Sequence, residues 1–157
     1  MHNVLFICVH NSARSQMAEA YLRQVAGTNV RVTSAGFEPT TLNPLVVEVM
    51  HEEGIDLSDK TTQSVFELFK NGAIFTHVIT VCDDSREGQC PIYPGVTHRL
   101  HLPFPDPAAV TGTHEEQRQA VREIRDTIKA AVQEFADWLD SDTQRSLSPS
   151  WQRLPQR

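Results

Sequence analysis

The spacing of hydrophobic positions along the chain predicts strands that alternate with helices. Residues 3–8 are apolar without alternation, which is typical of a strand buried on both faces. Other segments carry apolar residues three and four positions apart, the spacing of an amphipathic helix. Strands are predicted over 3–8, 30–34, 77–81 and 97–102. Helices are predicted over 15–26, 44–53, 63–70 and 114–140.

This order of elements predicts an α/β fold, a small doubly wound sheet of four parallel strands with helices on both faces. The chain has 157 residues, and one domain accounts for about 150. We therefore expect a single catalytic domain over residues 1–140. Residues 141–157 are polar and contain Pro149 and Pro155, which predicts a flexible C-terminal tail.

Charge and hydropathy exclude two classes of partner. Fourteen basic and twenty acidic residues give a net charge of −6, and no block of Lys or Arg occurs, so nucleic-acid binding is not expected. The longest apolar run, 4–9, is six residues long, whereas a membrane-spanning helix needs about 20. The first residues lack the features of a signal peptide. We expect a cytoplasmic protein that does not bind membranes.

The three cysteines are Cys8, Cys82 and Cys90. An odd count in a chain without a secretion signal predicts free thiols, because disulfides inside cells are usually transient or catalytic. Cys8 ends the first predicted strand, Cys82 follows the third, and Asp106 lies four residues past the fourth. Carboxyl ends of parallel strands share one edge of the sheet, where ligands bind. We expect these side chains to lie close together.

The segment between the first strand and the first helix has the composition of an anion-binding loop. Its backbone N–H groups lead into a helix N-terminus, which favours a tetrahedral oxyanion. Arg14 can clamp two anion oxygens, and Asn11 tolerates the positive φ that a tight loop needs. Ser15 can cap the helix or donate to the Cys8 sulfur, and His10 is expected to contribute only its backbone. The predicted binding residues are Val9, His10, Asn11, Ser12, Ala13, Arg14 and Ser15.

The same donors predict a reactive thiolate at Cys8. Cysteines at helix N-termini beside arginine have pKa values of about 3.5–7.5 instead of about 8.5. The alternative is a buried structural cysteine at a strand end, which is common for free thiols.

Residues 8–19, Cys-Val-His-Asn-Ser-Ala-Arg-Ser-Gln-Met-Ala-Glu, resemble the low-molecular-weight tyrosine phosphatase superfamily. They are more similar still to the arsenate reductases built on that fold. The phosphatases usually carry a second Cys before the loop Arg and a Pro two positions after it. Those positions are Ala13 and Gln16 in this chain. The resemblance covers about residues 3–140.

The resemblance implies a catalytic role for five residues. Cys8 would attack arsenate bound by Arg14, and Asp106, within Phe-Pro-Asp-Pro, would protonate the leaving oxygen. Cys82 and Cys90 would form the redox pair of a three-cysteine reductase, which thioredoxin or a similar dithiol protein would reset. No metal or organic cofactor is needed for this chemistry.

Several alternatives remain open at this point. A phosphatase would use Cys8, Arg14 and Asp106 without the other two thiols, and a non-catalytic oxyanion or redox sensor would bind without turnover. Cys82 and Cys90 could be incidental, or could bind zinc with His98 and His101, although their spacing fits zinc poorly. Asp106 could belong to an ordinary Asp-Pro turn.

The resemblance also implies a potassium ion beside the loop, held near Asn11, Glu19 and Ser34 with an acidic residue near position 63. This chain has Gln63 there. Loss of a carboxylate weakens a site of hard oxygen ligands. We therefore do not expect potassium dependence.

Overall fold

The computed structural model describes residues 2–81 and 98–140 and the backbone of 152–153. Five strands and four helices occur in these ranges. The strands are β1 (His2–Cys8), β2 (Val30–Gly36), β3 (His77–Thr80), β4 (His98–His101) and β5 (Gln152–Arg153). The helices are α1 (Arg14–Val25), α2 (Pro44–His51), α3 (Val65–Lys70) and α4 (His114–Asp140). No helix in the described ranges is both long and apolar enough to cross a membrane.

The strands form one sheet in the order β2-β1-β3-β4-β5. β1 pairs in parallel with β2 and β3, and β3 pairs in parallel with β4. These four strands confirm the predicted fold class. The order reverses at β1, so the crevice beyond the carboxyl ends of β1 and β3 is the expected ligand site of the sheet.

The central strand β1 is buried on both faces, as its unbroken apolar run predicts. Val4 and Phe6 pack into a core cluster with α1, α2 and α4, whereas Leu5 and Ile7 pack with Val65 of α3 on the other face. Alternate side chains of a strand point to opposite faces of its sheet. The carboxyl end of β1 is therefore held rigidly from both sides.

The start of α1 differs from the prediction. The helix begins at Arg14, and its N-cap residue, Ala13, makes no side-chain capping bond. Ser15 therefore lies inside the first turn and is not the cap. By contrast, Asn43 caps α2 at the N–H of Leu45, as the Asn-Pro pair predicts. An uncapped N-terminus leaves the first N–H groups of α1 free for another acceptor.

A fifth strand departs from the prediction of four strands and a tail. β5 pairs antiparallel with β4, placing position 153 opposite Leu100 and position 152 opposite His101. At those two positions the tail is part of the sheet. The remaining residues of 141–157 lie outside the described residues, as does 82–97, so the predicted flexibility of the tail stays a prediction.

Candidate active site

The loop between β1 and α1 is held by its carbonyl groups. Asn11 has φ 54°, which confirms the positive φ predicted for it. The backbone segment after β2 donates to three loop carbonyls, from Glu38 to Val9 at 2.8 Å, from Thr40 to His10 at 3.2 Å and from Asn43 to Ser12 at 2.9 Å. These bonds turn the loop carbonyls away from the crevice. The backbone after β2 thereby fixes the shape of the loop.

The N–H groups of the loop are available to an anion. Within the described residues, the backbone N–H groups of His10, Ser12, Ala13 and Arg14 have no protein acceptor. They precede or open α1, whose dipole favours negative charge at this end. Such a concave set of donors suits a tetrahedral oxyanion.

The Cys8 sulfur is buried and receives two donors. The backbone N–H of Asn11 lies 3.2 Å from Sγ, and the Ser15 hydroxyl oxygen lies 2.9 Å from it. Hydrogen bonds donated to the charged form of a group favour that form. This arrangement favours the Cys8 thiolate, the form that acts as a nucleophile.

The direction of the Ser15 hydrogen bond follows from its neighbours. The backbone N–H of Gln63 can only donate, and it donates to Asn11 Oδ1 at 3.0 Å, which fixes the orientation of that amide. Asn11 Nδ2 then donates to Ser15 Oγ at 2.8 Å and to Ser34 Oγ at 3.0 Å. Ser15 Oγ therefore accepts a hydrogen bond from Asn11, and toward a Cys8 thiolate, which can only accept, the Ser15 hydroxyl is the donor.

Gly36 is a site residue that sequence reasoning missed. A Cβ atom at this position would lie 2.7 Å from both Asn11 N and Val9 O, closer than real Cβ contacts. The loop therefore packs directly on the backbone at the end of β2. No local sequence pattern marks Gly36, because the contact depends on pairing between distant segments.

Arg14 and Asp106 lie next to each other. The buried Arg14 guanidinium donates from Nη1 to the Phe104 carbonyl at 3.2 Å, and its Nη2 lies 4.0 Å from Asp106 Oδ2. Asp106 Oδ1 accepts from the N–H of Ala108 at 2.9 Å, at the start of a 3₁₀ turn over Pro107–Ala109. The predicted clamp and the predicted acid therefore approach the same side of the loop.

The redox pair predicted from the sequence, Cys82 and Cys90, lies outside the described residues. Val81, the last described residue before it, donates from its N–H to the Ile7 carbonyl at 2.9 Å. The residues that precede Cys8 and Cys82 in the chain are therefore hydrogen-bonded to each other.

The histidines considered in the sequence analysis have other contacts. His10 Nδ1 lies 3.0 Å from the Glu38 carbonyl, so its ring also holds the loop, contrary to the expectation that it contributes only backbone. His98 stacks on His77 at 4.7 Å, and His101 Nδ1 lies 2.6 Å from the hydroxyl of Thr80. Within the described residues, no group of three His, Cys, Asp or Glu side chains could hold a metal ion.

The resemblance places potassium near Asn11, Glu19 and Ser34, and oxygen atoms of all three residues already accept hydrogen bonds. Asn11 Oδ1 accepts from Gln63 N, and the Ser34 carbonyl accepts from Gln63 Nε2 at 2.8 Å. Glu19 Oε1 accepts from the Ser34 hydroxyl at 3.0 Å, and Glu19 Oε2 contacts Lys60 Nζ at 2.5 Å. N–H and O–H donors satisfy these oxygens, so the residues present do not fit a potassium ion.

Known proteins resemble this chain over most of its length. Residues 3–145 match the family model described as low molecular weight phosphotyrosine protein phosphatase. An arsenate reductase of Shouchella clausii is 40% identical over 134 residues, 85% of this chain and 94% of that protein. A solved arsenate reductase in its phosphate binding state has a TM-score of 0.67 at 26% identity, covering 87% of this chain and 98% of its own.

A thioredoxin-dependent arsenate reductase of Corynebacterium glutamicum superposes with a TM-score of 0.54 at 32% identity. The match covers 85% of this chain and 62% of that one. These similarities extend well beyond the anion loop and span the sheet and the helices that position it. This chain therefore belongs to the low molecular weight phosphotyrosine protein phosphatase family.

Proposed function

We propose that this chain reduces arsenate to arsenite. The observation that carries the proposal is the Cys8 sulfur, which receives the Asn11 N–H and the Ser15 hydroxyl at the floor of an anion loop. Curated relatives at about 40% identity are arsenate reductases, which supports the same reaction here. Arsenate is a tetrahedral oxyanion and matches the donors of the loop.

The first step is attack of the Cys8 thiolate on arsenic. Arg14 is proposed to hold two arsenate oxygens, since its guanidinium forms paired parallel hydrogen bonds. Asp106, 4.0 Å from that guanidinium, is proposed to donate a proton to the oxygen that leaves as water. A sulfur–arsenic bond forms as an arsenic–oxygen bond breaks, and arsenic stays in the +5 state.

The reduction itself is proposed to need the second thiol. Cys82 attacks the Cys8 sulfur, a disulfide forms, and the electron pair of the sulfur–arsenic bond passes to arsenic, which leaves as arsenite in the +3 state. Cys90 then attacks Cys82, which frees the Cys8 thiolate and leaves a Cys82–Cys90 disulfide. The hydrogen bond between Val81 and Ile7 supports this order, because it brings the chain ahead of Cys82 beside the chain ahead of Cys8.

A dithiol protein of the thioredoxin class is the proposed reductant. Each turnover oxidises two thiols of the chain, so two electrons must return from outside before the next one. The Corynebacterium glutamicum relative is named as thioredoxin-dependent, which supports the same class of partner. A cytoplasmic location is proposed together with this partner, since dithiol reductants of this class keep thiols reduced there.

Hydrolysis of phosphate monoesters is a secondary activity that the same loop supports. It needs Cys8, Arg14 and Asp106 but neither of the other thiols. An open groove of about 470 Å³ borders the loop between His10 and Pro107. Its lining in the described part of the chain includes no Phe, Tyr or Trp side chain on which the ring of an aromatic ester could stack, which favours a small inorganic oxyanion.

The variant Cys82→Ser separates the two activities. Arsenate reduction coupled to thioredoxin and thioredoxin reductase should stop, because the thiol that attacks the Cys8 sulfur and releases arsenite is missing. Hydrolysis of a small phosphate ester by the same preparation should continue, which shows that the loop remains intact. Mass spectrometry of wild-type protein after one turnover should identify the Cys82–Cys90 disulfide.

Continued multiple-turnover reduction by Cys82→Ser would contradict the relay. In the coupled assay, thioredoxin reductase consumes NADPH each time arsenate is reduced. A wild-type chain that hydrolyses the ester but causes no NADPH consumption with arsenate would contradict the reductase function itself. That result would leave phosphate ester hydrolysis as the activity of the site.

A further inference from the structure

Glu19 is a buried carboxylate that the proposed chemistry does not use. It lies in α1 and its side chain is 4% exposed. A buried carboxylate is costly unless it is paired and hydrogen-bonded. Glu19 Oε2 contacts Lys60 Nζ at 2.5 Å, and Glu19 Oε1 accepts from the Ser34 hydroxyl at 3.0 Å. The ammonium therefore balances the charge that the helix brings into the interior.

A continuous set of hydrogen bonds connects this ion pair to the nucleophile. Ser34 Oγ accepts from Asn11 Nδ2 and donates to Glu19. The same Asn11 amide donates to Ser15 Oγ, which donates to Cys8. The position of Glu19 therefore affects the orientation of Asn11, and Asn11 determines both donors to the sulfur.

The segment that carries Lys60 contacts this network at two further points. The Thr61 carbonyl accepts from Gln16 Nε2 at 3.2 Å, and Gln63 N donates to Asn11 Oδ1 at 3.0 Å. Lys60 itself closes a turn by donating from its N–H to the Leu57 carbonyl at 3.0 Å. Residues 60–63 therefore form one unit that holds the back of the anion loop.

We propose that Lys60 is a positioning residue whose ammonium group takes the place of a bound metal cation behind the anion loop. The oxygens of Asn11, Ser34 and Glu19 that could ligate a cation all accept N–H or O–H donors instead. The chain thus carries its own cation at the end of a flexible stem, and the loop keeps its shape in the absence of potassium.

Arg23 is the other cation near Glu19, and its geometry makes it a weaker candidate for this role. Its Nη2 lies 3.5 Å from Glu19 Oε2, but its side chain is 60% exposed and the same nitrogen donates to the Val32 carbonyl. The Lys60 side chain is 34% exposed and lies 1.0 Å closer to the carboxylate. Exposed ion pairs contribute little because water screens them.

The experiment compares potassium chloride with choline chloride at equal ionic strength. Two quantities are measured, the midpoint of thermal unfolding and the affinity for inorganic phosphate by calorimetry. The variants are Lys60→Met, which removes the charge, Lys60→Arg, which keeps it, and Lys70→Met, which removes an exposed lysine at the end of α3 as a matched control. This proposal rests on the proposed function in one respect, that the loop binds a tetrahedral oxyanion. Neither measurement requires arsenate reduction.

Wild type, Lys60→Arg and Lys70→Met should give the same values in both salts, with Lys60→Arg within about threefold of the wild-type phosphate affinity. Lys60→Met should bind phosphate more weakly, on the order of tenfold, in choline chloride. Potassium chloride should restore part of that loss, because a metal cation can then approach Glu19 Oε2, which no longer has the ammonium of Lys60 beside it.

Two results would overturn the proposal. One is a wild-type unfolding midpoint that rises in potassium chloride over choline chloride, which would show a bound potassium ion. The other is wild-type phosphate affinity for Lys60→Met in choline chloride. If Lys60→Met does not fold, weak phosphate binding by the folded Lys60→Arg variant would overturn it as well. A chain that binds phosphate but does not reduce arsenate would contradict only the proposed function.

Discussion

Cys8 receives its two donors from residues three and seven positions further along the chain. The backbone N–H of Asn11 points at the sulfur because Asn11 adopts a left-handed conformation, and the Asn11 side chain donates to the Ser15 hydroxyl that lies beside the sulfur. The nucleophile therefore depends on the conformation of a single asparagine.

Cys8→Ser should abolish arsenate reduction and phosphate ester hydrolysis together, each by at least about a thousandfold, since both reactions begin with this nucleophile. Phosphate binding measured by calorimetry should persist, because the backbone donors of the loop are unchanged. Turnover of either substrate near the wild-type rate would show that the nucleophile lies elsewhere.

Arg14→Lys should weaken phosphate binding by about tenfold, although the charge is kept, because an ammonium group cannot form two parallel bonds from one plane. The inhibition constant of phosphate in the ester assay measures this effect. Arg31→Lys, at an exposed position of β2, is the matched control and should leave that constant unchanged. Equal constants for Arg14→Lys and the wild type would exclude a planar clamp.

At this scale the sequence predicts residue types well and contacts poorly. The positive φ of Asn11 follows from the tolerance of asparagine in tight loops, and the structure confirms it. Gly36 packs against Asn11, which lies 25 positions earlier in the chain, and Lys60 pairs with Glu19, which lies 41 positions earlier. No local sequence pattern marks either contact. Contacts of that kind depend on tertiary packing, which the sequence does not display.

The end of β2 is the element on which the anion loop rests. Gly36 pairs with Cys8 in the sheet register, and the backbone after it donates to the loop carbonyls. A loop supported in this way by a neighbouring strand loses little conformational entropy when an anion binds. The strand therefore contributes to affinity without touching the ligand.

Gly36→Ala should destabilise the fold by about 1–3 kcal/mol, because its Cβ would overlap loop backbone that cannot move independently. Phosphate affinity should fall in the same variant, since the loop must shift. Gly27→Ala is the matched control, because a Cβ there would meet only the Asn29 side chain at 3.3 Å. Urea unfolding and calorimetry of both variants test this, and equal losses in the two would contradict the close approach.

The elements were predictable because their hydrophobic patterns are strong. α4 matches its predicted range, and the Thr113 hydroxyl and Glu116 carboxylate cap its start in both directions. α1 begins one residue earlier than predicted, since the Ser15 hydroxyl is used by Cys8 and not as a cap. At this position the contact between Ser15 and Cys8 takes precedence over the preference of serine for the helix N-cap.

For the whole molecule, a cluster of aromatic rings near the amino ends of β3 and β4 makes stability depend on pH. His77 stacks on His98 at 4.7 Å, meets the edge of His2 at 5.4 Å, and contacts Phe135 and Trp138 of α4. Burial, followed by the neighbouring histidines, lowers the pKa of His77 to about 4. The folded state therefore resists protonation of this ring.

The free energy of unfolding should fall as the pH decreases from about 6.5 to about 4, by about 1–3 kcal/mol from His77. The unfolded chain binds a proton at His77 near pH 6.5, whereas the folded chain binds it only near pH 4. The stability that comes from neutral His77 is therefore fully present above pH 6.5 and is lost as the pH falls to 4. Urea unfolding of wild type and His77→Phe at several pH values measures the slope. His51→Gln, at an exposed position, is the control, and an unchanged slope in His77→Phe would contradict the assignment.

The fold class was predictable for the whole molecule, because four buried or half-buried strands alternate with amphipathic helices in the sequence. The fifth strand was not, because two polar residues in a tail carry no periodic signal. Strand order likewise required the three-dimensional structure. It places β1 and β3 together, and thus the chain before Cys82 beside the chain before Cys8.

The two-residue strand β5 has a consequence for association between molecules. Without β5, β4 would be an edge strand, and its unpaired N–H and C=O groups could pair with an extended segment of another molecule. β5 occupies two of the four positions of β4, at Leu100 and His101, and so limits the length of border that another molecule could extend. These two positions of the tail therefore oppose aggregation through backbone pairing, a role that is independent of arsenic chemistry and that their polar side chains do not reveal.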